Sequence, residues 1–166
     1  MMIVIRPIES SDDRKISNII RQVGAEFGAV GEGFGPGDAE VANMSGHYHP
    51  SQRSRYYVAL LDGEVVGGGG IAPFTDAKGS NRTCELRKLF LLPQARRLGI
   101  GKRLLAQCLD DAKSLGYHAC YLDTLANMHA AINLYQQYGF KHLDAPMAAT
   151  EHGGCDVWML KKLDVS

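Results

Sequence analysis

The chain has 166 residues, 45% of them apolar, and its 18 Lys plus Arg are balanced by 18 Asp plus Glu. That length and composition fit one globular domain over residues 1–166, with a core that stands without disulfides, and exclude a disordered or collagen-like chain. Zero net charge argues against nucleic acid as a partner held by bulk positive charge, and no run approaches the roughly 20 apolar residues of a membrane span, so no membrane is expected either.

In chain order, Ile3 to Arg6 reads as a strand ended by Pro7. Ser10 or Ser11 offers an N-cap to a helix whose Ile16, Ile19, Ile20, Val23 and Phe27 form one apolar stripe. Gly28 to Gly37 reads as a loop, Asp38 caps a short helix through Met44, and His47 to Ser54 is a second loop. Tyr56 to Leu61 and Glu64 to Ile71 form a hairpin around Asp62-Gly63. Its four glycines, Gly67 to Gly70, mark a strand that another backbone or a substrate approaches closely. A turn at 75–81 leads to a long strand, Thr83 to Leu92. A helix from Gly99 to Leu115 ends at Gly116. Then come a short strand His118 to Leu122, a helix Met128 to Tyr138 closed by Gly139, and strands Phe140 to Leu143 and Asp156 to Leu160. The cysteines at 84, 108, 120 and 155 form no CxxC pair, which fits a cytoplasmic chain with reduced, mostly buried thiols. His47 and His49 lack the acids or cysteines of a metal site, so no metal is expected.

Arg96 to Gly101 reads Arg-Arg-Leu-Gly-Ile-Gly and continues into Lys102-Arg103, between a strand and an amphipathic helix. Gly99 and Gly101 let a ligand approach the backbone. The unpaired N–H groups at the helix start, the helix dipole and the four cations suit a diphosphate. The plain structural alternative is a tight turn with a solvated basic helix start. A P-loop spelling fails, because Arg103 follows Gly101-Lys102. A dinucleotide fingerprint fits Gly99 and Gly101 but has Leu104 in its third place, with Asp123 near the ribose-binding position.

The longer pattern resembles the GNAT acetyltransferase superfamily. Arg96-x-x-Gly99-x-Gly101 is similar to its acyl-CoA signature. Ala131-Ile132-Asn133-Leu134-Tyr135-Gln136-Gln137-Tyr138-Gly139-Phe140 resembles its second motif, and Glu85 to Leu91 its central strand. The resemblance covers essentially the whole chain, in the family's order. It implies an α/β (α+β) fold, in which a mixed, mostly antiparallel sheet splays between parallel strands four and five. Here those strands are Thr83–Leu92 and His118–Leu122. It implies acetyl-CoA as co-substrate, its pantetheine arm on the backbone of Leu89, Phe90 and Leu91, and its diphosphate on Arg96, Arg97, Leu98, Gly99, Ile100, Gly101 and Lys102. A small-molecule amine is the implied acceptor.

Tyr135 sits at the family's general-acid tyrosine, and Tyr138 is assigned to packing. Glu85 is the candidate base, through water; it could instead bind the acceptor's ammonium or pair with a cation such as Arg87. Many family members carry asparagine seven residues before the tyrosine. Here Met128 stands there, and a helix start shifted by one residue would let Asn127 serve. Phe27, Glu32 and Tyr48 are candidates for the acceptor pocket. The family also permits a homodimer through the C-terminal strands. The competing readings are a protein lysine or N-terminal acetyltransferase, a non-catalytic acyl-CoA sensor, and a nicotinamide-dinucleotide-binding domain.

Overall fold

The structure is a computed structural model that describes residues 1–31, 33–74, 81–147 and 153–163. Glu32 and most of the expected turn at 75–81 lie outside them. The described strands are β1 (Ile3–Pro7), β2 (Arg55–Leu61), β3 (Glu64–Phe74), β4 (Thr83–Leu91), β5 (Ala119–Thr124), β6 (Lys141–Leu143) and β7 (Val157–Lys162). They form a seven-stranded sheet in the order β1-β2-β3-β4-β5-β7-β6. The β4–β5 pair is parallel and the other pairs are antiparallel. Helix α1 is Asp13–Glu26, α2 is Ile100–Ser114 and α3 is His129–Gln137. No described helix is long and apolar enough to cross a membrane.

Alternation along the strands sends each strand's side chains to two faces. The α1 stripe of Ile16, Ile19, Ile20 and Val23 packs with Val58, Val65 and Ala72 on one face. Each of the four α1 side chains, at most 3% exposed, contributes about 1.5–3 kcal/mol of burial. On the other face, Leu105, Cys108, Leu109 and Ala112 of α2 pack with Ile71, Cys84 and Leu86, and Tyr135 of α3 joins them. The turn before α1 differs from the serine cap expected. Asp12, not Ser10 or Ser11, holds it, accepting from the Glu9 N–H at 2.8 Å and from Arg6 Nη1 at 2.8 Å. A carboxylate with an arginine partner outcompetes a neutral hydroxyl at a helix start. The short helix expected after Asp38 is instead a run of 3₁₀ turns, Ala39–His47, broken at Asn43.

The parallel pairing of β4 and β5 stops early. Only Thr83 with Ala119, Cys84 with Cys120 and Glu85 with Tyr121 are in register, although β4 runs on to Leu91 and β5 to Thr124. Beyond Glu85 the sheet is therefore open. A bulge in β4 lies just past this point, where the register to β3 shifts between Gly68 and Gly70 and Lys88 adopts φ +52°. Bulges bend the strand that carries them.

The glycine run explains how that bulge is held. A Cβ on Gly68 would meet the Tyr56 ring at 2.7 Å, and one on Gly70 would meet it at 2.7 Å as well. The bare backbone of β3 thus lets Tyr56 of β2 lie across it, and the Tyr56 hydroxyl donates to the Lys88 carbonyl at 2.8 Å. On the other face, a Cβ on Gly69 would strike Leu89 Cδ1 at 2.5 Å. Another backbone does come close, as expected, but the tightest neighbours include this chain's own aromatic ring. Lys88 Nζ, buried, bonds Asp38 at 2.8 Å and Glu40 at 3.3 Å, which fixes a conformation that L-residues otherwise avoid.

Candidate active site

A cavity of about 70 Å³ sits in the opening of the sheet. Phe27 and Phe34 line one side, Glu85 and Arg87 of β4 and Asp123 of β5 flank it, and Tyr135 of α3 closes another side. Leu89 and Phe90 also line it, at and just past the bulge. The sequence-derived candidates Glu85, Leu89, Phe90, Phe27 and Tyr135 are therefore brought together. Leu91 lies at the end of β4, and its carbonyl accepts from Arg96 Nη2 at 3.0 Å.

The turn before α2 has the backbone that its glycines predict. Arg97 has φ +66°, and Gly99, with φ +83°, is the N-cap of α2. Half-buried Leu98 and fully buried Ile100 pack beneath it with Ala95 and Leu104. Two apolar anchors thus hold the turn while its backbone stays outside. A Cβ on Gly99 would meet nothing within 4 Å, and one on Gly101 would meet Leu134 Cδ2 at an ordinary 3.5 Å. The space beside Gly99 is open, which suits a ligand that lies against backbone, while Leu134 and Leu91 flank Gly101. Arg97, Lys102 and Arg103 are exposed there. A diphosphate fits these groups: helix-start N–H donors with the exposed Arg97 and Lys102 on the same turn, while Arg103 Nη1 donates to the Ile3 carbonyl at 3.4 Å.

Arg96 does not stand with them. Its guanidinium bonds Glu26 at 2.6 and 2.8 Å and Leu91 O at 3.2 and 3.0 Å, and it lies 5.5 Å from the Phe27 ring centroid. The carboxylate at the end of α1 captures a planar fork that matches it in geometry.

Tyr135 is 6% exposed and tilts against Phe140 at 5.8 Å between ring centroids. Burial first, then the thiols of Cys120 and Cys108, push its hydroxyl well above the ordinary tyrosine range, so it stays protonated. Tyr138 packs against the same cluster, as expected. Asn127 points elsewhere. It is exposed, and its amide donates to Phe27 O at 2.9 Å. Met128 lines the cavity instead, its sulfur accepting from the Thr124 hydroxyl at 3.4 Å. Helix α3 begins only at His129.

Glu85 is 5% exposed and accepts from Arg87 Nε at 2.6 Å, so its pairing with a cation is the arrangement observed. Arg87 Nη1 stands 3.6 Å from Glu40. Burial works against the Arg87 charge, but Glu85 first, and then Tyr48 and Glu40, outweigh it, and the guanidinium stays protonated. Burial also opposes the charge on Glu40. Lys88, the Tyr48 hydroxyl and Arg87 together still hold it below the usual carboxylate range. Tyr48, expected in the acceptor pocket, is buried against this network and the Tyr56 ring, 5.2 Å away, and does not line the cavity. Its aromatic body seats in the core beneath α1, where burial is worth more than exposure.

The sequence marks Asp38 only as a helix cap and does not single out Glu40 or Lys88. The available signal was a lysine inside an otherwise apolar strand, which needs a partner when buried. Cys155 also lines the cavity, its thiol pushed up to about 12 by burial and by Asp123. His47 and His49 are exposed, and no group of three or more metal-ligating side chains occurs among the described residues.

A sheet opened beside a parallel pair, with a glycine turn capping the crossover helix, suits an acyltransferase that takes its acyl group from an acyl-coenzyme A thioester. The chain belongs to the acetyltransferase (GNAT) family, whose model matches residues 31–140. It is 37% identical over 161 residues to YjgM of Escherichia coli K12, an uncharacterized N-acetyltransferase, covering 96% of this chain and 95% of that one. Its fold is similar to that of a GNAT-family acetyltransferase from Staphylococcus aureus Mu50, with a TM-score of 0.82, 20% identity, and coverage of 98% and 100%. It is also similar to a GNAT-superfamily phosphinothricin acetyltransferase from Sinorhizobium meliloti solved with acetyl-CoA, with a TM-score of 0.76, 22% identity, and coverage of 98% and 89%. The protein is an acyltransferase that uses acetyl-CoA.

Proposed function

We propose that the chain, as one domain, is an N-acetyltransferase that moves acetyl from acetyl-CoA to the primary amine of a small or amino-acid-like acceptor by direct attack in a ternary complex. The observation that carries this reading is that Tyr135 and Glu85 line one cavity across the opening between β4 and β5. The amine must lose a proton to attack, since an amine of pKa near 10 is mostly protonated at neutral pH. Glu85 takes that proton through a water. As the new C–N bond forms and the C–S bond breaks, Tyr135 gives its proton to the leaving sulfur. A backbone N–H of Leu89, Phe90 or Leu91 supports the developing oxyanion. The turn from Arg97 to Lys102 holds the diphosphate, and Arg96 holds that turn to α1.

The test is a thermal-shift series followed by an assay of CoA release over a panel of amines. Acetyl-CoA is expected to raise the melting temperature, and at least one amine to release CoA. Stabilisation by NAD with none by acetyl-CoA would overturn the reading.

A further inference from the structure

We propose that Arg87 selects the acceptor, and that the acceptor carries a carboxylate next to its reactive amine. This deepens the acetyl-transfer reading above and rests on it.

Arg87 follows Glu85 by two positions on β4, so the two side chains leave the same face of the strand. Both line the cavity. The Arg87 side chain is 28% exposed, so its head group is not sealed in the core. A guanidinium carries five N–H donors in a planar fork that matches a carboxylate. Arg87 gives Nε to Glu85 at 2.6 Å, while Nη1 is 3.6 Å from Glu40, beyond hydrogen-bonding range. The Glu40 oxygen that Arg87 faces, Oε1, already accepts from Lys88 Nζ at 3.3 Å. Nη1 of Arg87 pairs with Glu40 by charge alone, so the Nη edge keeps donors beside the cavity that no hydrogen bond among the described residues takes up.

Charge balance points the same way. The half-buried cluster of Asp38, Glu40, Glu85, Lys88 and Arg87 already holds one more negative than positive group, so a lone carboxylate would worsen that imbalance and a lone ammonium would leave the Arg87 fork without an anion. A zwitterion adds none. Its ammonium meets the Glu85 carboxylate and its carboxylate meets the Arg87 fork, so the resident pair matches an α-amino acid group by group.

The experiment compares CoA release for each α-amino acid with that for the amine lacking its carboxylate and for its α-amide, with acetyl-CoA as donor. The amino acid is expected to have a kcat/KM at least roughly tenfold higher, the scale of one charge-assisted hydrogen-bonded pair. Arg87→Gln should bring that ratio towards one through the KM of the amino acid, and Arg87→Lys should restore part of it. Equal or better turnover of the carboxylate-free amine by the unmodified protein overturns the proposal, as does an unchanged ratio in Arg87→Gln. If that variant does not fold, the comparison on the unmodified protein decides alone. Should acetyl-CoA stabilise the protein while no amine of either kind releases CoA, the amine-transfer reading falls and this proposal with it. If amines react without regard to a carboxylate, only this proposal falls.

Discussion

Arg96 grips Glu26 with both arms of its guanidinium, Nη1 to Oε2 at 2.6 Å and Nη2 to Oε1 at 2.8 Å. The same guanidinium reaches the Leu91 carbonyl, so the end of α1 is tied to the end of β4. From the other rim, Asn127 donates to the carbonyl of Phe27. Phe27 is thus fastened to both sides of the opening in the sheet, and its ring lines the cavity between them.

Glu26→Gln loosens one of these ties and leaves Arg96 unneutralised next to the diphosphate turn. The pair is solvent-accessible on both sides, so melting temperature should hardly change, by less than about 1 kcal/mol of stability. The KM for acetyl-CoA should fall several-fold at low salt, and less at high salt. Steady-state kinetics at two ionic strengths check this. A higher KM would mean that the tie to α1, rather than the freed charge, governs binding.

Tyr135→Phe keeps the packing against Phe140 and removes only the hydroxyl. The kcat should drop by roughly 100-fold, within the usual range for a lost general acid. The dissociation constant for CoA, measured by calorimetry, should stay nearly the same. Undiminished turnover would remove Tyr135 as the proton donor.

Gly70→Ala tests the account of the bulge. Its Cβ would collide with the Arg55 carbonyl and with the Tyr56 ring. Neither can move without disturbing the Tyr56 bond to Lys88, so the cost should be about 3 kcal/mol or more. Chemical denaturation reads it. Gly99→Ala meets open space and should cost only the left-handed backbone penalty, about 1–2 kcal/mol.

Stability should fall at both ends of the pH scale. Burial first raises the hydroxyl pKa of Tyr56, Tyr57, Tyr121 and Tyr135. The unfolded chain then releases those protons as pH rises through about 10, while the folded chain keeps them, so stability is full below that value and declines above it. Glu26 and Glu40 behave oppositely. Their pKa is lowered, by Arg96 for the first and, against burial, by Lys88 for the second. Their contribution is present above the ordinary glutamate value near 4.3 and is lost as pH falls through their folded values. Thermal melts across pH check both limbs. A Tm flat through the alkaline limb would contradict the burial of these tyrosines.

Much of the site was legible because it is local. Gly99 requires a positive φ at a strand-to-helix turn, and that need shows in six consecutive residues. Tyr135 sits in a helix whose spacing places it towards the core. The parallel pairing of β4 and β5 follows from a strand, a crossover helix and a second strand in chain order, whereas where it stops does not. Other features depended on partners far away in sequence. Glu26 and Arg96 are 70 positions apart, and Lys88 and Asp38 are 50 apart.

The sequence by itself determined the order of the elements, the α2 turn and the presence of Tyr135 and Glu85 in the motifs of the GNAT family. Backbone preference and apolar period are written in neighbouring residues, so they survive without coordinates. Only the tertiary structure decided which charges meet. It drew Arg96 to Glu26 instead of leaving it in the diphosphate turn, set Met128 rather than Asn127 in the cavity, buried Tyr48, and placed Arg87 beside Glu85. The balance of 18 positive and 18 negative side chains is silent on such pairings, because Coulomb energy depends on distance and burial, which the fold alone sets.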